Sequence, residues 1–146
     1  MTGCSVQNPF SDRTTPATDA LPDLAPDVAT AVRAVGLLLV AQARATATAT
    51  AFPGLRERVD PLVALHRAHA AALQAAVPDG VDARPTATPD VVPTSRTTAL
   101  ARLTKGERDL HDGLTGLALR AESGPFARLL GSMAAATSQQ IVVLTR

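Results

Sequence analysis

Aromatic residues are nearly absent from this 146-residue chain, which has no tryptophan, no tyrosine and only three phenylalanines. Lysine and arginine together number 14 against 13 aspartates and glutamates, so the formal net charge is only +1. Nucleic-acid binding by phosphate neutralisation needs a basic surplus, and single-strand binding needs aromatic stacking surfaces. The composition therefore argues against a nucleic-acid partner.

Cysteine and long apolar runs are also scarce. Cys4 is the only cysteine, so no internal disulfide can form and cysteine usage does not identify the redox compartment. The most apolar stretch, residues 34–41, is much shorter than the roughly 20 residues needed to span a bilayer, and we interpret it as buried helix. The chain is nevertheless long enough to bury a sizeable core as one domain.

The first 25 residues differ in composition from the rest of the chain. Ser, Thr, Pro, Asp and Ala dominate the stretch from Ser5 to Ala25. Such a segment has too little apolar surface to offset the entropy that ordering would remove. We predict a disordered leader over residues 1–25 and a folded domain over residues 26–146.

Apolar residues at steps of three and four predict four amphipathic helices in that domain. The expected helices cover about residues 26–50, 55–77, 95–121 and 125–146. Asp60-Pro61 lies inside the second helix, where it would either restart the helix at a proline-led cap or kink a continuous one.

The links between these helices predict their arrangement. Residues 51–54 and 122–125 contain glycine and proline and form tight links, which place the third and fourth helices side by side and antiparallel. Residues 78–93 form one long connection, which is unusual in a compact domain and points to mobility or function. Two tight links and one long link are typical of an up-down-up-down bundle. The sequence therefore predicts an all-α, antiparallel four-helix bundle.

All three histidines and one glutamate fall on the core-facing sides of the second and third helices. His66 and His69 take consecutive core positions on the second helix, and Glu107 takes one on the third, with His111 four residues further on. Counted from the connection between the second and third helices at about 1.5 Å of rise per residue, His66 and Glu107 should lie at nearly the same height, with His69 about a turn above them and His111 about a turn below. A buried carboxylate and buried imidazoles both require partners.

Two interpretations of this cluster stay open. Three imidazoles and one carboxylate suit a mononuclear zinc, copper or iron site, because metal sites in helical bundles are built from facing helices. A Glu–His pair can also fill a core without any metal and fix the register of the helices. No serine lies in a nucleophile-elbow context and Cys4 lies in the leader, so we assign no catalytic residue.

The chain begins with Met1-Thr2-Gly3-Cys4, which resembles the last four residues of a bacterial lipobox, although leucine is usual where Met1 stands. The resemblance implies lipidation of Cys4 and attachment to the membrane surface, with the leader as a tether. It places the protein at the extracytoplasmic face of the cell membrane if a signal peptide precedes Met1, and in the cytoplasm otherwise.

Residues 26–146 are similar to small ferritin-like helical lipoproteins of actinobacteria. The likeness is carried by the Ala- and Arg-rich composition, by Leu65-His66-Arg67-Ala68-His69 and by the segment from Glu107 to His111. Di-iron ferritins take carboxylates from all four helices, whereas here the first helix has no acid beyond Asp27 and the fourth has none after Glu122. Di-iron oxidase chemistry is therefore not expected.

With this resemblance, the cluster predicts a non-enzymatic accessory lipoprotein with transition-metal binding by His66, His69, Glu107 and His111. One alternative is a helical interaction module that binds a protein partner or a second copy of itself. Another is a mononuclear metalloenzyme, which would require an open coordination position.

Overall fold

Four α-helices make up the described part of this computed structural model, which covers residues 25–84 and 91–146. They are α1 (Pro26–Ala51), α2 (Arg56–Gln74), α3 (Arg96–Ala118) and α4 (Gly124–Leu144), with a 3-10 turn at Pro53–Leu55. These two ranges contain no strand, so the all-α prediction is confirmed. Cys4 and the predicted leader up to residue 24 lie outside the described residues.

Local signals explain where several helices begin. Pro26 occupies the first turn of α1, where its missing N–H group is not needed. The hydroxyl groups of Ser95 and Ser123 precede α3 and α4 and accept hydrogen bonds from the backbone N–H groups of Thr98 and Phe126, each at 3.5 Å. α2 continues through Pro61 rather than restarting there.

Contacts along α1 establish the direction of α3. A Cβ atom added to Gly113 would lie 3.1 Å from Cδ1 of Leu37, and one added to Gly106 would lie 2.8 Å from Cζ of Arg44. Residue numbers therefore rise along α1 as they fall along α3. The two helices are antiparallel.

A second contact supports this direction at the end of the molecule. The carboxylate of Asp27 accepts hydrogen bonds from the backbone N–H groups of Glu122 and Ser123, each at 2.9 Å. The start of α1 therefore lies at the turn between α3 and α4. In a bundle whose helices alternate strictly up and down, that turn would lie at the opposite end.

The predicted up-down-up-down order is consequently wrong. α1 is antiparallel both to α2, which follows it through a tight link, and to α3, so α2 and α3 run parallel. Residues 75–95 must then return along the molecule, a distance of about 30 Å for helices of this length. Their number is ample for that span, because extended chain covers about 3.3 Å per residue.

The helices also differ from the prediction in which pairs are neighbours. α1 packs extensively on α2, and α3 packs on α4, as the tight links predict. α1 also packs along α3, and α2 meets α4 over a smaller area. Within the described ranges α2 and α3 share no extended interface, so they lie on a diagonal rather than side by side.

Two apolar clusters fill the space between the helices. The first lies toward the turn between α3 and α4 and includes Val35, Leu38, Leu73, Leu114 and Leu130. The second lies toward the turn between α1 and α2 and includes Leu55, Val59, Leu62, Leu103 and Leu144. The core is thus divided along its length, and the residues between the two clusters form the candidate site.

Candidate functional site

A layer of buried polar side chains separates the two apolar clusters. His66 on α2 lies between Leu62 and Leu73, and Glu107 on α3 lies between Leu103 and Leu114. Both side chains are 0% exposed. They meet across the diagonal of the molecule. The sequence places them at equal height by counting along antiparallel helices; in the observed parallel pair they are level because each lies near the middle of its helix, and His69 and His111 fall on the same side of them instead of on opposite sides.

His66 and Glu107 are in contact without an aligned hydrogen bond. His66 Nε2 lies 3.0 Å from Glu107 Oε2, which is within ion-pair distance. The angles at these atoms fall outside those of a hydrogen bond, and His66 Nδ1 and Glu107 Oε1 also lack a hydrogen-bond partner among the described residues. Four buried nitrogen and oxygen atoms are therefore concentrated at one point in the core.

Such a concentration does not arise from a need for stability. A buried donor or acceptor without a partner costs about 1–3 kcal/mol, and most buried polar atoms in folded proteins are paired. Leucine at both positions would continue the two apolar seams at no such cost. The arrangement is typical of a site that binds something or fixes a unique packing.

His69 lies next to this pair on α2. Its ring is half-buried, and Nδ1 is buried without a hydrogen-bond partner in the described part of the chain. Burial lowers the pKa of His69 below its ordinary value because it desolvates the charged imidazolium, and His66 lowers the pKa further by electrostatic repulsion. His69 therefore favours the neutral form, which is the form that donates a lone pair to a metal.

His111 does not join the buried pair in one ligand set. Its Nδ1 lies 3.0 Å from Oδ1 of Asp112, and the two side chains are 36% and 81% exposed. Over residues 25–84 and 91–146, no three His, Cys, Asp or Glu side chains converge closely enough to hold a metal ion together. The structure thus brings together His66 and Glu107, keeps His69 beside them, and leaves His111 partly exposed.

Thr137 on α4 is another fully buried polar residue and was not among the predicted site residues. Its side chain is 0% exposed, and Oγ1 donates a hydrogen bond to the carbonyl oxygen of Met133 at 3.0 Å. The hydroxyl is therefore already paired with its own helix. The signal in the sequence is a polar residue on an otherwise apolar stripe, which does not by itself indicate a site.

α1 is the one described helix that is long and apolar enough to cross a membrane by length and composition. Core helices of soluble proteins pass the same test. In this structure Ala34, Val35 and Leu38 of α1 are fully buried against the other helices.

Comparison of the chain with protein-family models, with curated proteins and with solved structures finds no match. The assignment of the candidate site therefore rests on its geometry and chemistry alone.

Proposed function

We propose that this protein is a non-enzymatic accessory lipoprotein that binds one transition-metal ion in the core of a ferritin-like four-helix bundle. The observation that supports it best is the fully buried His66–Glu107 pair, whose nitrogen and oxygen atoms have no aligned hydrogen-bond partners. An imidazole nitrogen and a carboxylate oxygen are both ligands of zinc, copper and iron.

The separation of the two ligand atoms suits a shared ion. Metal–nitrogen and metal–oxygen bonds are about 2.1 Å long, so atoms 3.0 Å apart would subtend an angle of about 90° at the metal. A tetrahedral angle would require a separation of about 3.4 Å. The two separations differ by a small side-chain movement, so iron(II), copper(II) and zinc are all candidates.

His69 is the third ligand in this proposal. With His66 and Glu107 it would supply two imidazoles and one carboxylate, a set that holds iron(II) in many proteins. Its lowered pKa keeps the ring neutral, and its half-buried position links the core with solvent. Reorientation of the His69 side chain would be required, because the three groups do not converge in this structure.

The directions of the helices support the ferritin-like part of the proposal. One long connection between parallel second and third helices is the pattern of ferritin-like bundles.

Lipidation of Cys4 would hold the domain at the extracytoplasmic membrane surface through residues 5–25. Mass spectrometry of the protein extracted from its native membrane tests this, since an unmodified Cys4 would contradict anchoring.

Metal analysis of untagged protein tests the metal site. We expect one ion per chain in the natural sequence and none in the His66→Leu/Glu107→Leu double variant. That variant replaces both buried polar groups by apolar ones of similar size, so it should stay folded. The His111→Ala variant is the matched control, because it removes a partly exposed imidazole and should keep the metal.

Two results would contradict metal binding. One is metal-free protein whose melting temperature is unchanged by added iron(II), copper(II) or zinc. The other is equal loss of metal in the His111→Ala control and in the double variant, which would place the ion elsewhere.

A helical interaction module is the second candidate, and the outer face of α4 favours it. No charged residue occurs between Arg128 and Arg146, and Leu129, Val142 and Val143 are exposed on that helix. Val142 and Val143 are exposed side by side on a stretch of α4 that carries no charge, so this end of the helix could bind another protein or a second copy. Light scattering of metal-free protein distinguishes the candidates, because a stable dimer would support this one.

A further inference from the structure

A groove between α1 and α3 lies apart from the proposed metal ligands. One part has a volume of about 350 Å³ and is lined by Arg44, Arg102, Lys105, Gly106 and Asp109. The adjoining part, about 150 Å³, shares Arg44, Gly106 and Asp109 with the first and adds the apolar side chains Leu37, Val40, Ala41 and Leu110. The groove is thus basic at one end and apolar at the other.

Arg44 is the central residue of this groove. Its Nε atom is buried and has no hydrogen-bond partner among the described residues, and none of the ion pairs there includes Arg44. A guanidinium nitrogen left in this state is costly. Nε itself has almost no accessible surface, so an anion in the groove would meet the Arg44 guanidinium group through the atoms that line the groove.

Gly106 makes room for the guanidinium group of Arg44. A Cβ atom at position 106 would lie 2.8 Å from Cζ and 3.2 Å from Cδ of Arg44, so any other residue would displace that side chain. Glycine is less favourable than alanine inside a helix. Here the glycine allows the guanidinium group of Arg44 to lie close to the backbone of α3.

Two further cations line the same end of the groove. Arg102 is oriented by a hydrogen bond from its Nη1 to the carbonyl oxygen of Val91 at 3.0 Å. Lys105 Nζ lies 2.7 Å from Oδ2 of Asp109, which neutralises part of the charge. Three basic residues against one acid leave a positive surplus, as a site for an anion requires.

We propose that this groove binds a small amphiphilic anion, specifically a phosphate monoester that carries a short apolar group. The planar guanidinium groups of Arg44 and Arg102 match the oxygens of a phosphate, and Lys105 adds a point charge. The apolar group would lie against Leu37 and Val40. The larger part of the groove falls within the range of about 300–1,000 Å³ that is usual for small-molecule sites.

Calorimetric titration of the full chain with butyl phosphate and with inorganic phosphate tests the proposal. We expect butyl phosphate to bind more tightly than inorganic phosphate, because only the ester fills the apolar end. Arg44→Gln should weaken both ligands about tenfold, whereas Arg33→Gln, at an exposed position of the same helix, should have little effect. Val40→Ala should weaken butyl phosphate alone.

Gly106→Ala is a second variant that keeps every charge. It should weaken binding, but less than Arg44→Gln, because the added methyl group shifts the flexible end of Arg44 without removing its charge. Circular dichroism checks that each variant is folded. Vesicles of phosphatidylcholine with and without phosphatidic acid separate the possible sources: Arg44-dependent binding to the acidic vesicles assigns the phosphate to a lipid headgroup, and binding to butyl phosphate alone assigns it to a soluble ester.

Three results would overturn the proposal. They are equal affinity for the two soluble ligands, an Arg33→Gln effect as large as that of Arg44→Gln, and no binding at millimolar ligand. None of them bears on the metal site, because no proposed metal ligand lines this groove.

Discussion

His69 shows how one position changes the chemistry of a common side chain. Its imidazole is half-buried beside His66, and both desolvation and repulsion lower its pKa. The same ring at an exposed position would be an ordinary surface histidine. Burial next to a polar core layer instead favours the neutral imidazole that a metal requires.

The lowered pKa of His69 predicts how stability depends on pH. Its value lies below the ordinary 6.5, so the unfolded chain takes up a proton first as the pH falls through that value. Stability that is present above pH 6.5 is therefore lost at lower pH. We expect the free energy of unfolding of metal-free protein, measured with urea in the presence of a chelator, to decrease from about pH 7.5 to about pH 5.5.

His69→Gln should flatten this decrease, because it removes the group that titrates differently in the two states. His111→Gln is the matched control on α3 and should keep the decrease. A His69→Gln variant with the full pH dependence of the natural protein would show that another group is responsible.

The site residues were found from the sequence because polar residues stood where apolar ones were expected. His66 and Glu107 interrupt seams that are otherwise apolar. Their equal height was predicted for antiparallel helices and holds in the parallel pair because both residues lie near the middle of their helices. Thr137 was missed because threonine is compatible with a core when its hydroxyl bonds to its own helix. The orientation of His111 toward Asp112 depends on the rotation of α3, which the apolar pattern does not define within tens of degrees.

The helices themselves were predicted closely because their ends carry local signals. α1 was expected over residues 26–50 and spans Pro26–Ala51, with proline at its start. The second helix was predicted to reach Val77, whereas α2 ends at Gln74. There the chain tightens before Pro78: the N–H groups of Ala76 and Val77 donate to carbonyl groups three residues earlier.

Glycines inside helices provide a prediction at this scale. A Cβ atom at Gly131 of α4 would contact nothing within 4 Å, whereas one at Gly113 of α3 would lie 3.1 Å from Cδ1 of Leu37. Gly131→Ala should raise the free energy of unfolding by about 1 kcal/mol, because alanine has the higher helix propensity. Gly113→Ala should raise the free energy of unfolding by less, because the side chain of Leu37 must shift to make room for the methyl group.

Urea unfolding of the two single variants and the natural protein measures both changes. Equal gains in the two variants would show that α1 and α3 do not approach each other at Gly113. Loss of stability in Gly131→Ala would indicate that the outer face of α4 is covered in solution.

The arrangement of the helices depends on contacts between residues distant in sequence. Asp27 and Ser123 are joined by a hydrogen bond, although 96 positions separate them. This contact distinguishes the observed order, in which α2 and α3 run parallel, from strict alternation. In the alternating bundle Asp27 would lie near Ser95, at the start of the third helix.

Cysteine cross-linking tests this order directly. In a Cys4→Ser background, the Asp27→Cys/Ser123→Cys pair should cross-link rapidly with a short reagent, and the Asp27→Cys/Ser95→Cys pair should not. Mass spectrometry of the digested protein identifies the linked peptides. Preferential linkage of the second pair would support the alternating order of helices instead.

Helix number and the approximate limits of each helix were determined by the sequence alone, because apolar spacing, proline and capping serines act within a few residues. The tertiary structure decided the rest. Docking of α1 along α3 made α2 and α3 parallel and diagonal, which carries His66 to Glu107 while His111 stays at the surface. The physical reason is that a connection as long as 75–95 permits either direction, so the choice falls to side-chain packing among all four helices.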